Sequence, residues 1–346
     1  MQALQLTAPG VLKLRDVEVP EIGPRDLLLR VGAAGICHSD LHVLHAPTRM
    51  RAEPMTLGHE VAGTIEALGS DVSSLRAGER GLVYLCWSCG ECRECVSGNE
   101  NVCIAAGRTA MPPCPGLGPD GGMAEFIRIP ASSFVPIDDL DFAQAAPLAD
   151  AALTSYHAVD GAREHLGPGS TAVVIGVGGL GHVAVQILRA VSATRVIAVD
   201  TSRDKLDLAA RCGADLGLLS RPEAAAQILD LTEGRGADAV FDFVGIDATA
   251  RMAVESVAPN GAYRMVGLGG GVPGVTADPA GGPGWPWGAS VRKSYAGRKS
   301  DLLASIALAR AGKLRIEVEE HALADGVDAL GRLERGLVSG RAVLLP

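Results

Sequence analysis

Two textures of apolar and polar positions divide the chain. Up to about residue 150, apolar residues gather in short runs at Leu27–Val31, Val61–Leu68, Gly81–Leu85 and Ala124–Ile129, separated by Gly, Pro and Asp, which predicts a β-rich domain. After Pro168-Gly169 the pattern alternates. Short β-type runs at Ala172–Ile175, Val196–Val199, Ala239–Val244 and Tyr263–Val266 are separated by segments with helical periodicity. Leu180, Val183, Ala184, Ile187, Leu188 and Val191 share one helical face, and Lys205–Cys212, Glu223–Leu231 and Ala248–Ala258 supply further helices. Strands alternating with helices predict an α/β fold with a doubly wound parallel sheet. A helix over Asp301–Ala311 and a strand over Arg341–Leu345 are assigned back to the first domain. Residues 1–150 with 287–346 then form one domain, and 151–286 form an insertion. The Gly/Pro-rich stretch Gly267–Gly288 far exceeds an ordinary connection of about 4–6 residues, which predicts a domain or subunit contact there.

Composition fits this division. The 346 residues are 47% hydrophobic, enough for two cores. Lys+Arg 31 against Asp+Glu 40 gives a net charge of −9, so no global attraction draws the chain to nucleic acid or anionic lipid. The most apolar stretch, Thr171 to Leu188, is broken by glycines and reads as strand, turn and helix rather than a membrane span. The opening residues MQALQLTAPGVLKLRD lack the basic segment and long apolar run of a signal peptide, which predicts a cytoplasmic protein without a membrane partner. Of eight cysteines, five lie between Cys86 and Cys103, a clustering that points to metal rather than disulfides.

Three sets of residues carry chemistry. Gly176-Val177-Gly178-Gly179-Leu180-Gly181 follows a predicted strand and opens an apolar-striped helix. Its glycines allow a tight turn and close approach to a pyrophosphate, and the helix N-terminus favours the negative charge. Asp200 ends the next strand, where a carboxylate can accept both ribose hydroxyls and would repel a 2′-phosphate, so NAD is preferred over NADP. Arg203 and Lys205 could partly offset a phosphate, or Lys205 could bond the ribose. Cys89, Cys92, Cys95 and Cys103, spaced C-x2-C-x2-C-x7-C, can converge on one zinc with no open position; an iron–sulfur cluster is the competing occupant. Cys37 and His59, in polar, glycine-flanked segments, are candidates for an open zinc site, or else buried structural residues, and spacing does not pick a third ligand.

Gly35-Ile36-Cys37-His38-Ser39-Asp40, Gly58-His59-Glu60, the four-cysteine lobe, the Gly176–Gly181 turn and Pro147 to Thr154, in that order, resemble the zinc-dependent medium-chain alcohol dehydrogenases, in particular bacterial NAD-dependent secondary-alcohol dehydrogenases. The resemblance implies a GroES-like catalytic domain beside a Rossmann domain, two zinc ions per chain, NAD, and a homodimer or homotetramer. By position, it implies Cys37, His59 and Asp150 as catalytic zinc ligands, with Glu60 as an occasional alternative and Asp40 orienting His59. Many relatives have a cysteine where this chain has Asp150. Ser39 would hydrogen-bond the substrate oxygen and His42 would pass the proton to solvent, unless His42 is simply a solvated surface residue. His38 and Arg341 match positions that touch the cofactor pyrophosphate, and Thr154, Val244 and Val266 match positions around the nicotinamide or adenosine.

The same resemblance places Trp87, Met111, Tyr295, Ala296 and the segment Pro47–Met55 around the substrate. The segment looks short and Ala296 is small, which predicts a roomy site for aryl or medium-chain secondary alcohols and ketones. Trp285 and Trp287 fit either this site or a subunit contact. The alternatives are a polyol, threonine or aldehyde-type dehydrogenase of the same fold, or a noncatalytic zinc-stabilised binding protein.

Overall fold

The computed structural model describes residues 1–45, 54–274 and 284–346. They form two compact units: Met1–Leu153 with Ala296–Arg310 and Arg315–Pro346, and Thr154–Tyr295 with Ala311–Leu314.

The first unit opens with β1 (Gln2–Ala8), β2 (Val11–Asp16), β3 (Asp26–Gly35), β4 (Met55–Thr56), β5 (Glu60–Leu68), β6 (Arg80–Val83), β7 (Phe126–Pro130) and β8 (Phe134–Pro136). Its early helices are α1 (His38–Leu44), α2 (Arg93–Val96) and α3 (Phe142–Ala145), and α4 (Ala151–Asp160) begins in the first unit and continues into the second from Thr154. Strand β3 shows why the segment is a strand: Leu27, Leu29 and Val31 alternate into the core while Arg30 faces solvent. It pairs antiparallel with β5 and β7. At its far end, Gly35 faces Glu60 across the β3–β5 ladder, so Cys37 and His59 leave the same sheet edge side by side.

The second unit carries a parallel sheet of β9 (Thr171–Ile175), β10 (Arg195–Asp200), β11 (Leu216–Leu219), β12 (Ala237–Asp242), β13 (Val257–Met265) and β14 (Ser290–Lys293), ordered β11-β10-β9-β12-β13-β14. Helices α5 (Gly181–Val191), α6 (Arg203–Arg211), α7 (Ala224–Leu231) and α8 (Asp247–Ser256) connect its strands. Val173, Ile175, Ile197, Val199 and Val240 form its core, and Val183, Ala184, Ile187 and Leu188 bury one face of α5. Strand order reverses between β9 and β12, the point at which open α/β sheets bind ligands. The first unit resumes with α9 (Lys299–Arg310), β15 (Val318–Ala322), α10 (Gly326–Glu334) and β16 (Arg341–Leu345), and β16 returns to pair with β3.

Several boundaries differ from expectation: residues 151–153 belong to the first unit and Ala311–Leu314 to the second. The helix expected over Ala248–Ala258 stops at Ser256, because Val257 already pairs with Ala237 in the sheet. Residues 287–295, expected in the first domain, lie in the second unit, because β14 adds to the edge of the parallel sheet beside β13. All four residues of β14 are exposed, so no alternation marks it. Among the described residues, no helix is long and apolar enough to cross a membrane.

Candidate functional site

Cys37 sits at the N-terminus of α1, where Asp40 folds back so that its Oδ2 accepts from the Cys37 amide at 2.8 Å. The other Asp40 oxygen faces His59 Nδ1 at 3.4 Å. One buried carboxylate thus fixes the Cys37 backbone and orients the imidazole. From the turn before α4, Asp150 Oδ2 reaches 3.5 Å from both Cys37 Sγ and His59 Nε2. The three ligand atoms lie within 4.8 Å of one another. A tetrahedral zinc with bonds of about 2.0–2.3 Å has sulfur, nitrogen and oxygen ligands about 3.3–3.5 Å apart, so the trio fits such an ion. Asp150, which spacing alone could not select, completes it.

Burial pushes the His59 imidazole down, but Asp40 first, then Asp150 and Cys37, more than offset this, and the ring stands well above its ordinary value. Proton affinity at that ring reports the concentrated negative charge of its neighbours, which a divalent cation would also exploit. Glu60, next in the chain, points elsewhere. Its Oε1 accepts from the Ala151 amide at 2.9 Å, and the Arg341 guanidinium grips both of its oxygens. Burial pushes its carboxyl up to about 7 despite Arg341. Arg341, matched by resemblance to a pyrophosphate contact, is 2% exposed and holds Glu60 and, at 3.2 Å, Asp150. Sequence reasoning missed this pairing, since nothing local links residues 281 positions apart.

Ser39 is half-buried, its Oγ 3.7 Å from Cys37 Sγ, and His42 is exposed one turn further along α1. His38 is exposed at the start of the helix. Trp87 packs against the first unit's core, Met111 is exposed, and Ala296 is buried with φ 44°, a left-handed conformation that a non-glycine residue adopts at a cost. Tyr295 is half-buried at the end of the second unit's long segment. Residues 47–53 of the expected substrate segment, and 275–283 of the Gly/Pro stretch, lie outside the described residues.

The four-cysteine lobe closes on itself. Sulfur–sulfur distances are 3.4 Å for Cys92–Cys95, 3.5 Å for Cys89–Cys103 and 3.9 Å for Cys89–Cys95 and Cys92–Cys103. Zinc–sulfur bonds of about 2.3 Å require edges of about 3.8 Å, so the four sulfurs match a closed tetrahedral site. Amides of Cys95 and Ile104 lower the Cys92 thiol to about 6, whereas burial pushes Cys95 up to about 12.

In the second unit, Gly176 leaves β9 at φ 86°, and a Cβ there would lie 2.5 Å from Val244 Cγ2. A Cβ on Gly181 would fall 1.9 Å from the Gly176 carbonyl, so only glycine lets α5 start this close to the strand. Gly178 has open space before it, while half-buried Gly179 and Leu180 complete the turn. Asp200 ends β10 with Oδ2 accepting from the Val177 amide at 2.7 Å and Oδ1 from Ser202 at 3.0 Å. The glycine turn is therefore tied to the carboxylate at the end of β10. Lys205 lies in the first turn of α6, Thr154 is buried, Val244 is half-buried and Val266 is buried. This cradle suits a dinucleotide's pyrophosphate and ribose.

The model for an alcohol dehydrogenase GroES-like domain matches residues 23–139, and that for a zinc-binding dehydrogenase matches residues 179–309. An alcohol dehydrogenase of Geobacillus stearothermophilus is 35% identical over 343 residues, covering 96% of each chain. The chain belongs to the zinc-dependent medium-chain alcohol dehydrogenases. Within this family, the alcohol dehydrogenase of Aeropyrum pernix superposes with a TM-score of 0.91 at 35% identity, covering 100% of both chains. The acetophenone reductase of Geotrichum candidum, solved in complex with NAD, gives 0.84 at 30% identity, covering 100% of this chain and 97% of its own. The GroES-like and Rossmann architecture expected from the motifs is that of the family, and the chain is an oxidoreductase.

Proposed function

We propose that this alcohol dehydrogenase reversibly oxidises secondary alcohols, aryl or medium-chain, to ketones, with NAD as hydride acceptor. The convergence of Cys37, His59 and Asp150 carries the reading, because it offers two anionic ligands and one neutral ligand with no fourth side chain in the set among the described residues. Zinc held by these three residues would supply Lewis acidity toward the substrate oxygen, and NAD held at the glycine turn would supply a hydride acceptor. Ser39, two residues from Cys37, hydrogen-bonds the substrate oxygen, and His42, exposed one turn further along α1, releases the proton to solvent. Asp40 keeps His59 in one orientation, and Arg341 holds Glu60 aside. Gly176, Gly178, Gly179, Leu180 and Gly181 receive the pyrophosphate with His38. Asp200 and Lys205 bind the ribose, and Thr154, Val244 and Val266 contact the bases. Cys89, Cys92, Cys95 and Cys103 hold a structural zinc.

The preference for bulky secondary alcohols is supported by the small, buried Ala296 and by similarity to an acetophenone reductase. Trp87, Met111 and Tyr295 complete the substrate's surroundings. A homodimer or homotetramer is supported by the exposed edge strand β14 beside the 86% exposed Trp287, an open ladder that a second copy could extend. The clustering of five of the eight cysteines between Cys86 and Cys103, in a metal-type spacing, supports a cytoplasmic location. The test is zinc quantification alongside NAD-coupled oxidation of 1-phenylethanol, 2-octanol, 2-propanol and benzyl alcohol, before and after chelation. Two zincs per chain, chelator-sensitive turnover and the fastest rates for the first two alcohols are expected. A preference for 2-propanol would overturn the roomy site, and one zinc with no NADH formation would overturn the enzyme reading.

A further inference from the structure

Asp242 carries no motif, yet it occupies the point at which the parallel sheet reverses its order. It is the last residue of β12, paired with Ile175 at the end of β9 on one side and with Met265 at the end of β13 on the other. Ile175 immediately precedes the Gly176–Gly181 turn. Asp242 is fully buried, and each of its carboxylate oxygens is engaged. Oδ1 accepts from the amides of Val244 at 2.9 Å and Gly245 at 2.8 Å, and Oδ2 accepts from the Tyr263 hydroxyl at 3.1 Å. Its backbone carbonyl accepts from Val266 at 2.9 Å and Gly267 at 3.0 Å.

The two segments so held also touch each other and the glycine turn. A Cβ on Gly267 would lie 2.2 Å from the Val244 carbonyl carbon, so the loops after β12 and β13 run in backbone contact. Val244 Cγ2 occupies the space that Gly176 leaves by lacking a side chain. Tyr263, which bonds the carboxylate, stacks on Trp285 with ring centroids 6.4 Å apart. A buried carboxylate that accepts three hydrogen bonds at one strand end holds that rim to a single arrangement, since each donor released would be left unpaired.

We propose that Asp242 is a positioning residue for the dinucleotide: it fixes the loops at Val244–Gly245 and Val266–Gly267 against the glycine turn, and so sets cofactor affinity without contacting cofactor. This rests on the NAD reading above. Removing the carboxylate leaves two backbone amides free to pull the Val244 loop away from Gly176. Asn keeps one oxygen for those amides and can donate to the Tyr263 oxygen, so it restores the rim. Tyr263→Phe removes only the bond on the far side of the carboxylate.

The experiment is titration of the zinc-loaded proteins with NADH in the absence of alcohol, read by NADH fluorescence well below each protein's melting temperature, with zinc content and melting measured in parallel. For Asp242→Ala the dissociation constant is expected to rise about tenfold, with zinc content unchanged. Asp242→Asn and Tyr263→Phe should stay within about twofold of the parent, and kcat at saturating NAD should be near parental in all three variants, since affinity alone is affected. If Asp242→Ala melts lower but binds NADH as tightly as the parent, the residue only stabilises the fold and the inference is wrong. An equal loss in Asp242→Asn would also overturn it, since retained acceptor geometry would then not matter. Failure of the parent itself to bind NADH would instead refute the NAD reading.

Discussion

Arg341 forks onto Glu60, Nε to Oε2 at 2.8 Å and Nη2 to Oε1 at 2.6 Å, with both side chains at or below 3% exposure. Removing one partner of such a pair leaves an uncompensated buried charge, which typically costs about 3–5 kcal/mol. Arg341→Gln is therefore expected to lower the stability of the first unit by about that amount, read by denaturant unfolding. Glu60→Gln combined with Arg341→Gln should recover a large part of it, giving a coupling above about 1 kcal/mol.

The two sulfur-containing sites should fail in different ways. Asp150→Ala is expected to lower turnover about a thousandfold or more, with near-parental melting and loss of one zinc, because the Lewis acid is lost while the core is intact. Cys92→Ala should instead lower the melting temperature and release the other zinc, since closed sites contribute folding energy. Metal analysis and calorimetry on the two variants separate these outcomes.

In the proposed NAD site Asp200 would have two tasks, because the carboxylate assigned to the ribose also accepts from the Val177 amide in the glycine turn. Asp200→Gly is thus expected to weaken NAD binding by about tenfold to a hundredfold without a matching gain for NADP. Comparing KM for both cofactors checks this. An NADP-preferring variant would show that the turn stands without the bond.

A pH effect follows from the second unit's Asp238. Burial pushes its carboxyl up, but the Arg235 fork at 2.8 and 2.6 Å and the Thr171 amide at 2.7 Å pull harder, leaving it below its ordinary 3.8. A depressed folded value stabilises the fold above the unfolded value, and the contribution is lost as pH falls through the folded one. Asp238→Asn should cost about 1 kcal/mol at pH 7, a modest figure because Arg235 is half-exposed. The difference from the parent should shrink below about pH 4, as followed by unfolding at pH 7, 4 and 3.

Much of this architecture is written locally. The Ala172–Ile175 run, the glycine turn and the stripe on α5 are adjacent in sequence, and the four cysteines span 15 residues, so periodicity and spacing suffice. Asp150 was reached only by resemblance, because its partners Cys37 and His59 meet it through tertiary folding. Strand β14 escaped because an exposed edge strand has no buried face to pattern it. Asp242 and Arg341 escaped for a related reason: each acts through bonds to distant backbone or carboxylate groups, which leave no periodic trace.

The ion pair between residues 60 and 341 also constrains biosynthesis. A nascent polypeptide cannot close it until the ribosome has made all of the intervening chain, including the inserted nucleotide-binding unit. Vectorial synthesis therefore delays completion of the zinc-bearing lobe and leaves Glu60 without its guanidinium while the inserted unit is being made.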